Sequence, residues 1–107
     1  MDAFSPPHTA HLVDRLYDAI AVGKQAGLPS QSPTARLLKR GRRKIAQKVG
    51  EEAVETVIEA VRGRPKRVVE ESADLLYHLI VLWADAGVEP AAVWAQLSKR
   101  RGGPHGL

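Results

Sequence analysis

The chain contains no cysteine. That excludes disulfides and thiolate metal sites, and it removes any sign of a disulfide-stapled secreted domain. Aromatic residues make up only 5% of the 107 positions, so a core has to be built mainly from Leu, Val, Ile and Ala. No apolar run approaches the ~20 residues of a membrane span. The opening MDAFSPPH has neither the basic start nor the apolar stretch of a secretory signal. These absences predict a soluble cytoplasmic chain with no membrane partner. Neither a P-loop nor a G-x-G-x-x-G occurs, so no glycine-rich turn is available to cradle phosphates. Strand-like alternation, internal repeats and low-complexity segments are missing as well.

What is present suffices for one domain over 1–107: 44% of the residues are apolar. The spacing of apolar residues and stop signals predicts helices over 9–26, 34–40, 42–62, 66–87 and 90–100. Ser32-Pro33 reads as an N-cap followed by proline in the first turn. Gly27, Gly41, Gly63 and Gly87 close helices. Residues 1–8 and 101–107 are expected to be flexible tails. The fold class is all-α, an antiparallel bundle of four to five helices per chain. The helix over 66–87 is apolar nearly all round, which predicts burial.

Two stripes of acids interrupt these apolar faces. At about 100° per residue, Glu71, Asp74, His78 and Asp85 share one side of the fourth helix. Glu52, Glu55, Glu59 and Lys48 share one side of the third. Within each stripe two acids stand three apart, so their carboxylates are neighbours. The turn RGRP between the helices is short, which predicts antiparallel packing and sets Glu52 and Glu55 against Glu71 and Asp74. Desolvated carboxylates of like charge repel and need protons, basic partners or a cation. Four oxygen donors without thiolate suit Mg²⁺, with Mn²⁺ as a substitute. Glu51 and Glu59 read more simply as surface ion pairs. His78 reads either as a satisfied core histidine or as an outer donor orienting the Asp74 carboxylate. Tyr77, Trp83 and Trp94 read as packing aromatics.

The net charge of +4 favours an anionic partner, and its positives concentrate in KRGRRKIAQK, residues 39–48. A magnesium cluster beside Lys and Arg is what polyphosphate chemistry requires. Lys48 and Lys44, one and two turns before Glu52, are the expected phosphate contacts, ahead of Arg42 and Arg43.

Residues 34–100, and KVGEEAVE and ESADLLYHLIVL above all, resemble the phosphoribosyl-ATP pyrophosphatase family. That family belongs to the all-α, MazG-like nucleotide pyrophosphohydrolase superfamily. Its pattern of E-x-x-E, a spacer and E-x-x-D is matched by Glu52, Glu55, Glu71 and Asp74. The resemblance implies Mg²⁺-dependent hydrolysis of phosphoribosyl-ATP to phosphoribosyl-AMP and pyrophosphate in histidine biosynthesis. It also implies a homodimer that completes the helical core, and a functional link to phosphoribosyl-AMP cyclohydrolase. The four acids would hold metal, with Glu51 as an outer base. Two departures stand out. Ser32-Pro33-Thr34 replaces the family's usual Ser-Tyr-Thr. Val22-Gly23-Lys24 lacks an expected arginine, whose role would pass to Lys24 or Arg36. The same acids would also serve a house-cleaning (d)NTP pyrophosphatase. A helical module binding nucleic acid or protein is the reading from another class, but it has no use for buried acids; no nucleic-acid partner is expected.

Overall fold

A computed structural model describes residues 11–29 and 31–99, all helix and connecting turn with no strand among them. The expectations for the two tails lie outside these residues. The helices are α1 (His11–Ala26), α2 (Pro33–Arg40), α3 (Arg42–Val61), α4 (Pro65–Ala86) and α5 (Pro90–Lys99). Where the expected boundaries fall on described residues, the helices begin and end within one residue of them.

Local chemistry sets the boundaries. The Ser32 hydroxyl accepts from the Ala35 amide at 3.3 Å, and Pro33 takes the first helical position of α2. That satisfies one of the amides a helix start leaves without a partner. Gly41, at φ 93°, is the single residue between α2 and α3. A side chain there would be strained, so glycine allows two helices to abut with an abrupt change of direction. Gly23 has a different role. A Cβ on it would sit 2.3 Å from Leu28 Cδ2, so its hydrogen lets the chain after α1 fold back across the helix.

The core gathers Tyr17 and Ile20 of α1, Leu37 of α2, Ile45 of α3, and Ile80, Val81 and Ala84 of α4. α3 and α4 make the most extensive packing in the molecule. Their partners run in opposite directions: Glu59 lies against Arg67, and Arg42 against Asp85. That is an antiparallel hairpin closed by the turn at Gly63. Arg42 donates to Asp85 Oδ2 at 3.0 Å and to its main-chain carbonyl at 2.9 Å, while Lys24 donates to the same carbonyl at 3.2 Å. Asp85 therefore ties α1, α3 and α4 together and takes no part in the acidic stripe. A hydrogen bond between the Thr34 and Tyr77 hydroxyls ties α2 to α4. Trp94 of α5 packs edge-on against Trp83 at 5.9 Å.

One chain does not bury α4 all round. Val69 is 69% exposed and Leu76 47%, and Val54, Val57, Ile58 and Val61 of α3 are exposed too. Periodicity identifies an apolar face without saying which molecule covers it.

Candidate metal and active site

The antiparallel hairpin brings acids from the middle of α3 against the first third of α4. One carboxylate oxygen from each of Glu52, Glu55 and Glu71 lies within 4.8 Å of the other two. Glu71 is buried, with 6% of its surface exposed. Burial pushes its carboxyl above the usual carboxylate range, and the Glu55 charge pushes it further. Arg67 opposes both, donating from Nη2 to Glu71 Oε2 at 3.0 Å. The neighbouring Glu52 carboxyl raises it again.

Glu52 Oε1 is buried with no hydrogen-bond partner among the described residues. A buried acceptor without a donor costs roughly 1–3 kcal/mol. Three converging carboxylates, one with an orphaned oxygen and one held toward its neutral form, need positive charge. Their oxygens suit a hard divalent cation. The residues present fit such an ion.

Of the four acids expected to converge, the structure groups three. Asp74 is exposed and stands outside the group. His78 is not an orienting donor to its carboxylate: Nδ1 lies 2.8 Å from the Asp74 main-chain carbonyl, which only accepts, so Nδ1 carries the proton. Glu51 is exposed and apart from the group, accepting from Gln47 Nε2 at 2.8 Å with Lys48 at 3.7 Å. The Gln47 hydrogen bond and the Lys48 and Lys44 charges hold its pKa down. Lys48 lies one turn before Glu52, between it and a small cavity that it lines together with Arg36. Arg43 is exposed on α3 and Lys44 half-buried.

Arg67 is a participant the sequence pattern did not single out, and Glu59 has a different role from the surface pair expected of it. Arg67 contacts Glu59, Glu70 and Glu71 at once, and Glu59 is held across the turn by Arg64 and Arg67 with only 12% of its side chain exposed. Glu59 is therefore a partly buried bridge between the helices, in place of a surface pair along α3. The four-residue spacing of Arg67 and Glu71 was the available signal.

The profile of a family described as phosphoribosyl-ATP pyrophosphohydrolase matches residues 13–101. The chain belongs to that family. Glu52, Glu55 and Glu71 all lie inside the matched span. A phosphoribosyl-ATP pyrophosphatase of Azospirillum brasilense is 63% identical over 94 residues, covering 88% of this chain and 84% of that protein. One from Paramagnetospirillum magneticum is 57% identical over 91 residues, covering 85% and 83%. One from Rhodospirillum rubrum is 52% identical over 100 residues, covering 94% and 85%. Membership makes the chain a hydrolase. No described helix is long and apolar enough to cross a membrane.

Proposed function

We propose that the chain hydrolyses the α–β phosphoanhydride of phosphoribosyl-ATP to phosphoribosyl-AMP and pyrophosphate, an early step of histidine biosynthesis, with Mg²⁺. The convergence of Glu52, Glu55 and Glu71 inside the family-matched span carries this reading. A divalent cation bound there neutralises phosphate charge and lowers the pKa of a water. Glu52, Glu55 and Glu71 would hold the ion, and Asp74, three residues after Glu71 on the same face, would be the fourth carboxylate.

Water forms the new bond to the α-phosphorus. The bond from that phosphorus to the bridging oxygen breaks, and its electron pair leaves on pyrophosphate. Glu51, kept ionised by its neighbours, is available to take the water's proton as a weak base. Lys44, Lys48, Arg43 and Arg36 hold phosphate oxygens. His78 stiffens α4 through the Asp74 carbonyl.

The exposed Val54, Val57, Ile58, Val61 and Leu76 form an apolar face suited to a second copy, giving a homodimer in the cytoplasm. The product makes phosphoribosyl-AMP cyclohydrolase the functional neighbour. Incubating the purified chain with phosphoribosyl-ATP, with and without EDTA, tests the reading. Phosphoribosyl-AMP should form only without EDTA. Faster turnover of a dNTP panel would transfer the assignment to a house-cleaning enzyme.

A further inference from the structure

Beside the acidic group, between α2, α3 and α4, lies a cavity of about 210 Å³. Leu37 and Tyr77 form its apolar side; Arg36, Arg40, Lys48 and His78 are its charged and polar lining. No carboxylate lines it. Arg36 has one guanidinium nitrogen committed to the Gln31 carbonyl at 2.9 Å, which fixes the side chain and leaves its other donors free. His78 has Nδ1 committed to the Asp74 carbonyl, leaving Nε2 as its remaining polar atom. The Thr34–Tyr77 hydrogen bond pins α2 onto α4 at the rim. Arg40 forms no ion pair among the described residues, so its charge is uncompensated there.

The position along the hairpin is as informative as the charge. Lys48 precedes Glu52 by one turn of α3, and His78 follows Asp74 by one turn of α4. Because the helices are antiparallel, both displacements point the same way. The cavity therefore begins about one helical pitch, ~5.4 Å, from the acids. That is the reach of a phosphate chain extending from the cleaved linkage, and it is short for a group on the far side of a base.

We infer that this cavity is the subsite for the departing pyrophosphate end of a nucleoside triphosphate, with Arg40 as a contact that the acidic stripes do not reveal. The inference rests on the hydrolase reading for the identity of the substrate, while anion binding by the cavity is measurable without turnover. Arg36, Arg40 and Lys48 supply three positive charges against the charge carried by the two terminal phosphates. Guanidinium forks suit phosphate oxygens pairwise.

Calorimetric titration of the full chain with inorganic pyrophosphate, with Mg²⁺ and again with EDTA, tests it. Arg40→Gln should weaken pyrophosphate binding about tenfold or more, the loss of a charge-assisted contact. Arg40→Lys should recover part of that loss. Lys39→Gln, an equal change of charge on the same helix but outside the cavity, should stay within about twofold of the parent. Ribose 5-phosphate, carrying one monophosphate like the opposite end of the substrate, should bind at least about tenfold more weakly than pyrophosphate. Equal weakening by Arg40→Gln and Lys39→Gln would reduce the cavity to diffuse charge and overturn the inference. So would no effect of Arg40→Gln, or Arg40-dependent binding that prefers ribose 5-phosphate. Arg40-dependent pyrophosphate binding by a chain with no metal-dependent turnover would instead sink the hydrolase reading and leave the subsite standing.

Discussion

Replacing Glu52 with Gln should move stability in opposite directions with and without a divalent cation. In the metal-free protein Glu52 Oε1 is buried and has no partner, beside the carboxylates of Glu55 and Glu71. A glutamine keeps the shape, removes one negative charge and offers an N–H₂ to the neighbouring carboxylates. Relief of an unsatisfied buried acceptor is worth roughly 1–3 kcal/mol. Taking the low end, the variant should gain about 1 kcal/mol in EDTA, or roughly 4–8 °C in Tm for a domain of this size. Saturating Mg²⁺ acts on the parent by mass action. At a hundred times its Kd a ligand adds about 2.7 kcal/mol, and a variant lacking a direct ligand should lose most of that. The two melting curves should therefore cross: the variant melts higher in EDTA and lower in Mg²⁺. Thermal unfolding followed by far-UV circular dichroism reads both arms. A variant that is less stable in EDTA, or that keeps the full Mg²⁺ increment, would refute the claim that Glu52 is a destabilised ligand awaiting a cation.

Glu71 gives a pH signature. Its folded pKa is raised above the ordinary 4.5, so the native state holds a proton that the unfolded chain has released. The stability this contributes is full below 4.5 and is lost as pH rises through the folded value. The metal-free parent should lose Tm relative to Glu71→Gln across that window, Mg²⁺ should flatten the difference, and metal affinity should rise with pH. Parallel profiles for the two proteins would count against the buried-acid account. Asp74→Asn should leave the metal-free Tm within about 0.5 kcal/mol of the parent, as for other exposed positions, yet lower turnover at least about tenfold; unchanged turnover would confine the ligand set to three glutamates. If the proposed homodimer forms through the exposed apolar face of α3, Ile58→Glu should shift sedimentation from dimer to monomer, because the charge would be desolvated without a partner. A parent that already sediments as a monomer would refute the dimer, and a dimer unaffected by the substitution would move the contact to another surface.

Most of the fold was legible because its signals are local. Ser32-Pro33 and the glycines at 27, 41, 63 and 87 mark the ends of elements, and apolar spacing marks their faces. The grouping of Glu52, Glu55 and Glu71 followed from two facing stripes and one short turn. What stayed hidden depends on side-chain torsions or on contacts far apart in sequence. Spacing put Asp85 on the acidic side of α4, but it did not show Arg42 and Lys24 arriving from other helices to claim it. Likewise, Asp74 shares a face with Glu71 yet is exposed and outside the group, and His78 pairs with the carbonyl one turn back. Arg67 went unremarked because pairs at that spacing are ordinary on helix surfaces; only the depth of Glu71 makes this one matter.

The hairpin built by α3 and α4 also bears on how the protein comes to be folded. All three clustered acids belong to two consecutive helices joined by a tight turn, so their meeting requires only a short loop to close and no distant segment to arrive. Closing a loop of this length costs little more entropy than closing a shorter one. The crowding of negative charge is therefore internal to the hairpin and needs neither α1 nor α5 to arise. A cation held among these acids, as proposed above, would brace the two-helix unit itself, whatever the state of the rest of the chain.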